Sequence, residues 1–142
     1  MSIAVIDYGS GNLKSAAKAL EVAVNNVNLS SKIVVTSDPK IIKQSDKIIL
    51  PGQGSFRDCY LGIKKIPGLN ETLNEFVLVK KKPIFGICVG MQLFAKTGYE
   101  SQETKGFGWI DGEVRKINNI NKTLKLPHMG WNEITIIDQN PI

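Results

Sequence analysis

Pro83-Ile84-Phe85-Gly86-Ile87-Cys88-Val89-Gly90-Met91-Gln92 decides how this chain is read. A short apolar run with strand character, Pro83 to Ile87, delivers one cysteine into a turn flanked by Gly86 and Gly90. A helical stretch, Met91 to Lys96, is expected to follow at once. Strand, sharp turn, helix is the order of a nucleophile elbow, which exposes the attacking atom above the strand end. The two glycines give the backbone room to turn. Cys88 would also face the positive end of the following helix. An enzyme that forms a covalent thioester is the first expectation.

Working outward, Ile3-Ala4-Val5-Ile6 is a continuous apolar run without polar alternation, as a strand covered on both faces requires. Leu13, Ala16, Ala17, Leu20 and Val24 then recur at helical spacing. Ile33-Val34-Val35 predicts a second strand, residues 41–45 a short helix, and Lys47-Ile48-Ile49-Leu50 a third strand. Two helical stretches, broken near Pro67-Gly68, fill residues 55–79 and lead back to the elbow strand. The alternation implies βαβ units and a parallel sheet with helices on both faces. Sites in such sheets lie at the carboxyl ends of the strands. Three loops converge there: Asp7 to Asn12, Pro51 to Gly54, and Gly86 to Gly90. Beyond Lys96 the texture changes to glycine-punctuated segments. Strands over 113–117 and 132–137, with a turn at 118–122, are expected to form antiparallel hairpins appended to the parallel core.

The 142 residues are one domain's worth, and 42% hydrophobic with 22% charged residues is ordinary for a globular protein. No apolar run is long enough to span a bilayer, and no signal-peptide pattern precedes the first strand. A cytoplasmic location without membrane contact is expected. Cys59 and Cys88 offer neither metal-ligand spacing nor a disulfide framework, so both are expected to be reduced and no metal site is expected. The net charge of +5 comes from scattered lysines. Lys80-Lys81-Lys82 reads as a solvated helix end, and no aromatic residues interleave to suggest nucleic acid.

Cys59 lacks the setting of Cys88 and reads as packing. Pro51-Gly52-Gln53-Gly54 reads as a tight turn, or as a source of backbone N–H donors for a tetrahedral intermediate, since glycine lets the backbone approach or flip. The partner donor would be the N–H of Val89. Asn12 reads as a helix cap, because Gly-x-Gly without a third glycine is a weak dinucleotide signal. His128 is the only histidine. It is either the base that a thiol nucleophile needs or a loop or interface residue.

Together, residues 7–13, 50–54, 86–92 and Pro127-His128-Met129-Gly130-Trp131-Asn132 resemble the class I (triad) glutamine amidotransferases. Within them the likeness is to the glutaminase subunits of imidazole glycerol phosphate synthase, of histidine biosynthesis. It runs in order from the first strand to the last residues, and the segment around His128 is specific to this branch. The resemblance implies a flavodoxin-like three-layer α/β fold, a parallel sheet with helices on both faces and appended antiparallel strands. It implies that Cys88 attacks the side-chain amide of glutamine, that the Gly52 region and Val89 form the oxyanion hole, and that Gln92 helps hold glutamine. Ammonia would pass through a tunnel to a separate (β/α)₈ cyclase subunit in a heterodimer, with Asn12 at the interface. No cofactor is implied.

Gln53 and Ser55 replace residues that are usually small or apolar in the family. The family's base and its orienting glutamate lie in a His-x-Glu segment downstream, and His128 matches a different histidine. The expectation is therefore one glutamine amidotransferase domain over residues 1–142, truncated before the triad His/Glu segment. Two alternatives stand beside it: a catalytically incompetent scaffold that only docks a partner, and a glutaminase serving a different ammonia-using synthase.

Overall fold

The computed structural model describes residues 1–118, 125–127 and 129–137. The unalternated run near the N-terminus forms β1 (Ser2–Ile6), an inner strand covered on both faces. The chain continues through α1 (Leu13–Asn26), β2 (Lys32–Thr36), α2 (Pro39–Gln44), β3 (Lys47–Gly52), α3 (Phe56–Lys65), α4 (Leu69–Asn74) and β4 (Ile84–Cys88). A π-helical turn, Glu75–Val79, extends α4. The four strands lie in the order β2-β1-β3-β4, every neighbour parallel, which is the flavodoxin-like winding.

Three helices start on side-chain caps. Asn12 accepts from the Ser15 N–H, Asp38 from that of Lys40, and Ser55 from that of Asp58. Ser55 thus has a local reason to be polar. On one face of the sheet Ile3, Val5 and Ile49 pack against Leu13, Ala16, Leu20 and Val24 of α1. On the other, Ile6, Ile48 and Leu50 join Ile42, Cys59, Ile63, Leu73 and Phe76 in the larger core. Each of the fully buried isoleucine, leucine and phenylalanine side chains contributes about 1.5–3 kcal/mol. Cys59 lies in the same core, buried as its sequence setting suggested. Among the described residues no helix is long and apolar enough to cross a membrane.

Three expectations need correction. The helix after Cys88 is the single turn α5 (Val89–Gln92), and Ala95 and Lys96 already belong to a strand. The appended sheet, β5 (Ala95–Tyr99), β6 (Glu103–Lys105) and β7 (Ile110–Val114), is only half antiparallel. β5 and β6 form the expected hairpin, whereas β7 runs parallel to β5. The connection explains this: Gly106 N–H donates to the Lys96 carbonyl (2.8 Å) and Phe107 N–H to that of Leu93 (2.8 Å), returning the chain to the start of β5. It re-enters the sheet in the same direction. Residues 132–137 form no strand, and Ile134 and Ile136 are exposed. Alternating apolar residues mark where a strand can form, but a neighbouring strand must supply the ladder. The expected turn lies outside the described residues from 119 onward, and so does His128.

Candidate active site

β3 and β4 end together. Their register runs from Ile48 opposite Ile84 to Gly52 opposite Cys88, so the last rung sets the cysteine beside the Pro51–Gly54 loop. Cys88 is exposed there, with φ 55° and ψ −122°. Few L-residues adopt that backbone, and holding it costs about 1–3 kcal/mol. The strain falls on Cys88 itself, not on its flanking glycines.

What Gly86 and Gly90 provide is space. A Cβ on Gly86 would meet the Met91 nitrogen at 2.6 Å and Phe94 Cζ at 2.7 Å. One on Gly90 would collide with the Leu50 carbonyl oxygen, and one on Gly52 with the Gly90 nitrogen. These absent side chains let α5 settle onto the ends of β3 and β4. Its first residue, Val89, is buried. As the N-terminal residue of a helix, Val89 has an amide without an intrahelical partner.

The loop after β3 is held from the opposite side by the loop after β1. Tyr8 Oη donates to the Pro51 carbonyl oxygen at 2.6 Å in a buried setting. Ser10 Oγ donates to the Gln53 carbonyl (2.5 Å) and accepts the Gln53 N–H (3.0 Å). Cys59 Sγ lies 3.4 Å from both Ser10 Oγ and the Gln53 carbonyl. Burial, reinforced by the charge and hydrogen bond of Cys59, pushes the Tyr8 phenol well above its ordinary range, so it stays a neutral donor. A peptide's N–H and C=O point in opposite directions. With the Gln53 N–H directed at Ser10, the Gly52 carbonyl turns toward the Cys88 side. The loop expected to supply oxyanion donors lies beside Cys88, and it presents an acceptor there.

Gln92 ends α5, one turn after Cys88, and lines a cavity of about 460 Å³ with Phe56, Tyr99, Glu100, Arg115 and Lys116. Glu100 accepts the Phe56 N–H at 2.7 Å. Arg115 pairs with Glu113 at 2.7 Å and lies 4.3 Å above the Tyr99 ring. Its hydrogen bond to Glu113 raises its pKa further, so the cation persists. Sequence reasoning did not place Glu100, Arg115 and Lys116 beside Gln92, since no local motif marks them, and the cavity they line does not include Cys88. β5 and β7 bring them to Gln92. Asn12 lies apart from this cavity as the exposed cap of α1. Among the described residues no cluster of three or more His, Cys, Asp or Glu is arranged to hold a metal.

The strained, exposed cysteine between a strand and a helix has the geometry of a nucleophile elbow. The family description "Glutamine amidotransferase class-I" matches residues 4–139, and the chain belongs to that family. Curated relatives named "Imidazole glycerol phosphate synthase subunit HisH" narrow the likeness. The protein of Pelagibacter ubique is 52% identical over 143 residues, covering 100% of this chain and 67% of its own length. Those of Bradyrhizobium diazoefficiens and Rhodopseudomonas palustris are 50% and 48% identical, each across 100% of this chain and 66% of their own. The chain thus spans about two thirds of the length of the relatives it matches. The glutaminase domain of Trypanosoma brucei CTPS with bound acivicin is similar over 65% of this chain and 38% of that one, at 16% identity and TM-score 0.40.

Proposed function

We propose that the protein is the glutaminase subunit of an imidazole glycerol phosphate synthase, hydrolysing glutamine to glutamate and ammonia through Cys88. The observation that carries this reading is the rung pairing Gly52 with an exposed Cys88 whose backbone is strained outward. The Cys88 sulfur adds to the side-chain amide carbon, the C–N bond breaks, and ammonia leaves with a proton from the base. Water then cleaves the thioester, releasing glutamate and restoring the thiol. The charges beside Gln92 suit the head of an amino-acid substrate whose side chain reaches from that cavity to Cys88, which lies outside its lining. Glu100 is the complement of an α-ammonium group, and Arg115 and Lys116 complement an α-carboxylate.

The oxyanion hole completes itself when the Gly52–Gln53 peptide turns over. The Gln53 N–H then leaves Ser10 and joins the Val89 N–H on the developing charge; glycine at 52 keeps that rotation unhindered by a side chain. Gly52 is then the pivot of the hole, and Gln53 its second donor. The base belongs to the family's His-x-Glu segment, which the 142 residues do not contain. A (β/α)₈ cyclase receives the ammonia, with Asn12 on the docking face, and the pair works in the cytoplasm. The relatives' names favour this acceptor over another synthase.

The test uses the complete protein with its cyclase. A glutamine analogue that alkylates thiols should label Cys88, and Cys88→Ala should lose both label and ammonia release, by about 10⁴-fold or more. Wild-type turnover in the Cys88→Ala variant would sink the assignment.

A further inference from the structure

We infer that Tyr8 is a positioning residue for the oxyanion loop: its hydroxyl anchors the Pro51 carbonyl, confining reorientation of the loop to the single Gly52–Gln53 peptide. This rests on the glutaminase reading and deepens it.

The argument begins with the sheet. β1 pairs with β3 only as far as Val5 opposite Ile49, so β3 runs on for three residues with no strand on that side. Ile48 donates its N–H to the Pro83 carbonyl, toward β4. Backbone groups alternate along a strand, so those of residue 51 face the opposite way, toward the missing partner. Proline there removes a donor that would otherwise be orphaned. Its carbonyl still needs a partner in a buried place. Tyr8 Oη supplies one at 2.6 Å.

Two glycines shape the slot that brings the phenol to this point. A Cβ on Gly62 of α3 would meet the Tyr8 carbonyl oxygen at 2.9 Å and ring carbon Cδ2 at 3.1 Å. A Cβ on Gly52 would lie 2.9 Å from Tyr8 Oη. The ring is therefore fixed from the helix side and the hydroxyl from the strand side. Tyr8 is 5% exposed. Because the Pro51–Gly52 peptide is planar, fixing its carbonyl also fixes the Gly52 N–H on the β4 side. The next peptide is tied differently. Gln53 is held by Ser10, an exposed contact that water can replace, whereas the Tyr8 bond is buried. One peptide is thus an anchor, and its neighbour turns once its exposed hydrogen bond to Ser10 is exchanged. Without the anchor both rotate, and the Gln53 N–H is delivered to a scattered set of positions.

The experiment is Tyr8→Phe in the complete protein with its cyclase, reading glutaminase kcat and KM beside the rate at which iodoacetamide alkylates Cys88. Alkylation needs an accessible thiol and no oxyanion hole. Phenylalanine fills the same slot. Deleting one oxyanion donor outright typically costs about 10²–10³ in kcat. A misplaced donor should cost about tenfold or more, with KM for glutamine and the alkylation rate within about twofold of wild type. Unchanged kcat overturns the inference. A parallel fall in kcat and alkylation also overturns it, because the residue would then only support the fold. If the phenylalanine variant does not fold, 4-aminophenylalanine at position 8, a weaker donor of the same shape, takes its place, with a several-fold loss of kcat expected and none refuting. An active wild type beside an unaffected variant defeats this inference alone. An inactive wild-type complex defeats the glutaminase reading with it.

Discussion

Replacing Gly86 by alanine tests whether the elbow depends on close approach of α5 to β4. The added methyl would sit 2.6 Å from the Met91 nitrogen and 2.7 Å from Phe94 Cζ. Each falls about 0.7–0.8 Å short of the nearest ordinary van der Waals separation. Neither neighbour yields easily. Met91 is met at its backbone, and Phe94 is buried against Trp109, ring centroids 5.2 Å apart. Relief requires α5 to retreat by most of an ångström, carrying Val89 and the Cys88 turn with it. Overpacking of this kind costs about 1–3 kcal/mol of stability. A displacement near 1 Å at the reacting atoms costs about 10²-fold in rate. The assay is a urea midpoint together with ammonia release by the complete protein bound to its cyclase. Gly112→Ala is the control, since nothing lies within 4 Å of its added methyl. It should stay within about 0.5 kcal/mol of wild type. A Gly86→Ala protein as stable and as active as the control would refute the close-approach argument.

Two further outcomes follow from local geometry. The Asp46 carboxylate accepts from the Ser2 N–H (2.7 Å) and Ser2 Oγ (3.1 Å), which holds its pKa below the ordinary carboxylate value. Its stabilising effect is therefore complete above an unfolded-state pKa of about 3.9 and is lost as pH falls through the depressed folded value. Asp46→Asn should lower the thermal midpoint at pH 7, with the gap from wild type closing toward pH 3; an equal gap at both would refute this. Asn12→Ala should remove about 1 kcal/mol by uncapping α1, and Asn12→Asp should restore it. If Asn12 also meets the cyclase, titration calorimetry will show weaker binding for both variants, separating the interface role from the cap.

Much of the fold was legible because burial imprints itself on local pattern. Ile3 to Ile6 and Lys47 to Leu50 lacked alternation and became inner strands, and the apolar spacing from Leu13 to Val24 became α1. Pro67-Gly68 broke the long helical stretch where α3 and α4 part. The sequence failed where an element depends on a distant neighbour. Ala95 and Lys96 read as helix, yet pairing with β7 draws Ala95 into a strand. Residues 132–137 read as strand and form none among the described residues. The cysteine and its glycine loop were visible as motifs, whereas the charges around Gln92 were not, since Glu100 and Arg115 come from separate turns of chain.

By itself, then, the sequence determined the parallel winding and the cysteine at its elbow, because apolar periodicity and glycine placement are local consequences of burial and crowding. Tertiary structure decided which backbone groups face that cysteine. The Gln53 N–H donates to Ser10, 43 residues away, which turns the Gly52 carbonyl toward the elbow, while Tyr8 holds the preceding peptide through the Pro51 carbonyl. Peptide orientation is set by hydrogen bonds between segments distant in sequence, and no periodicity along the chain encodes it.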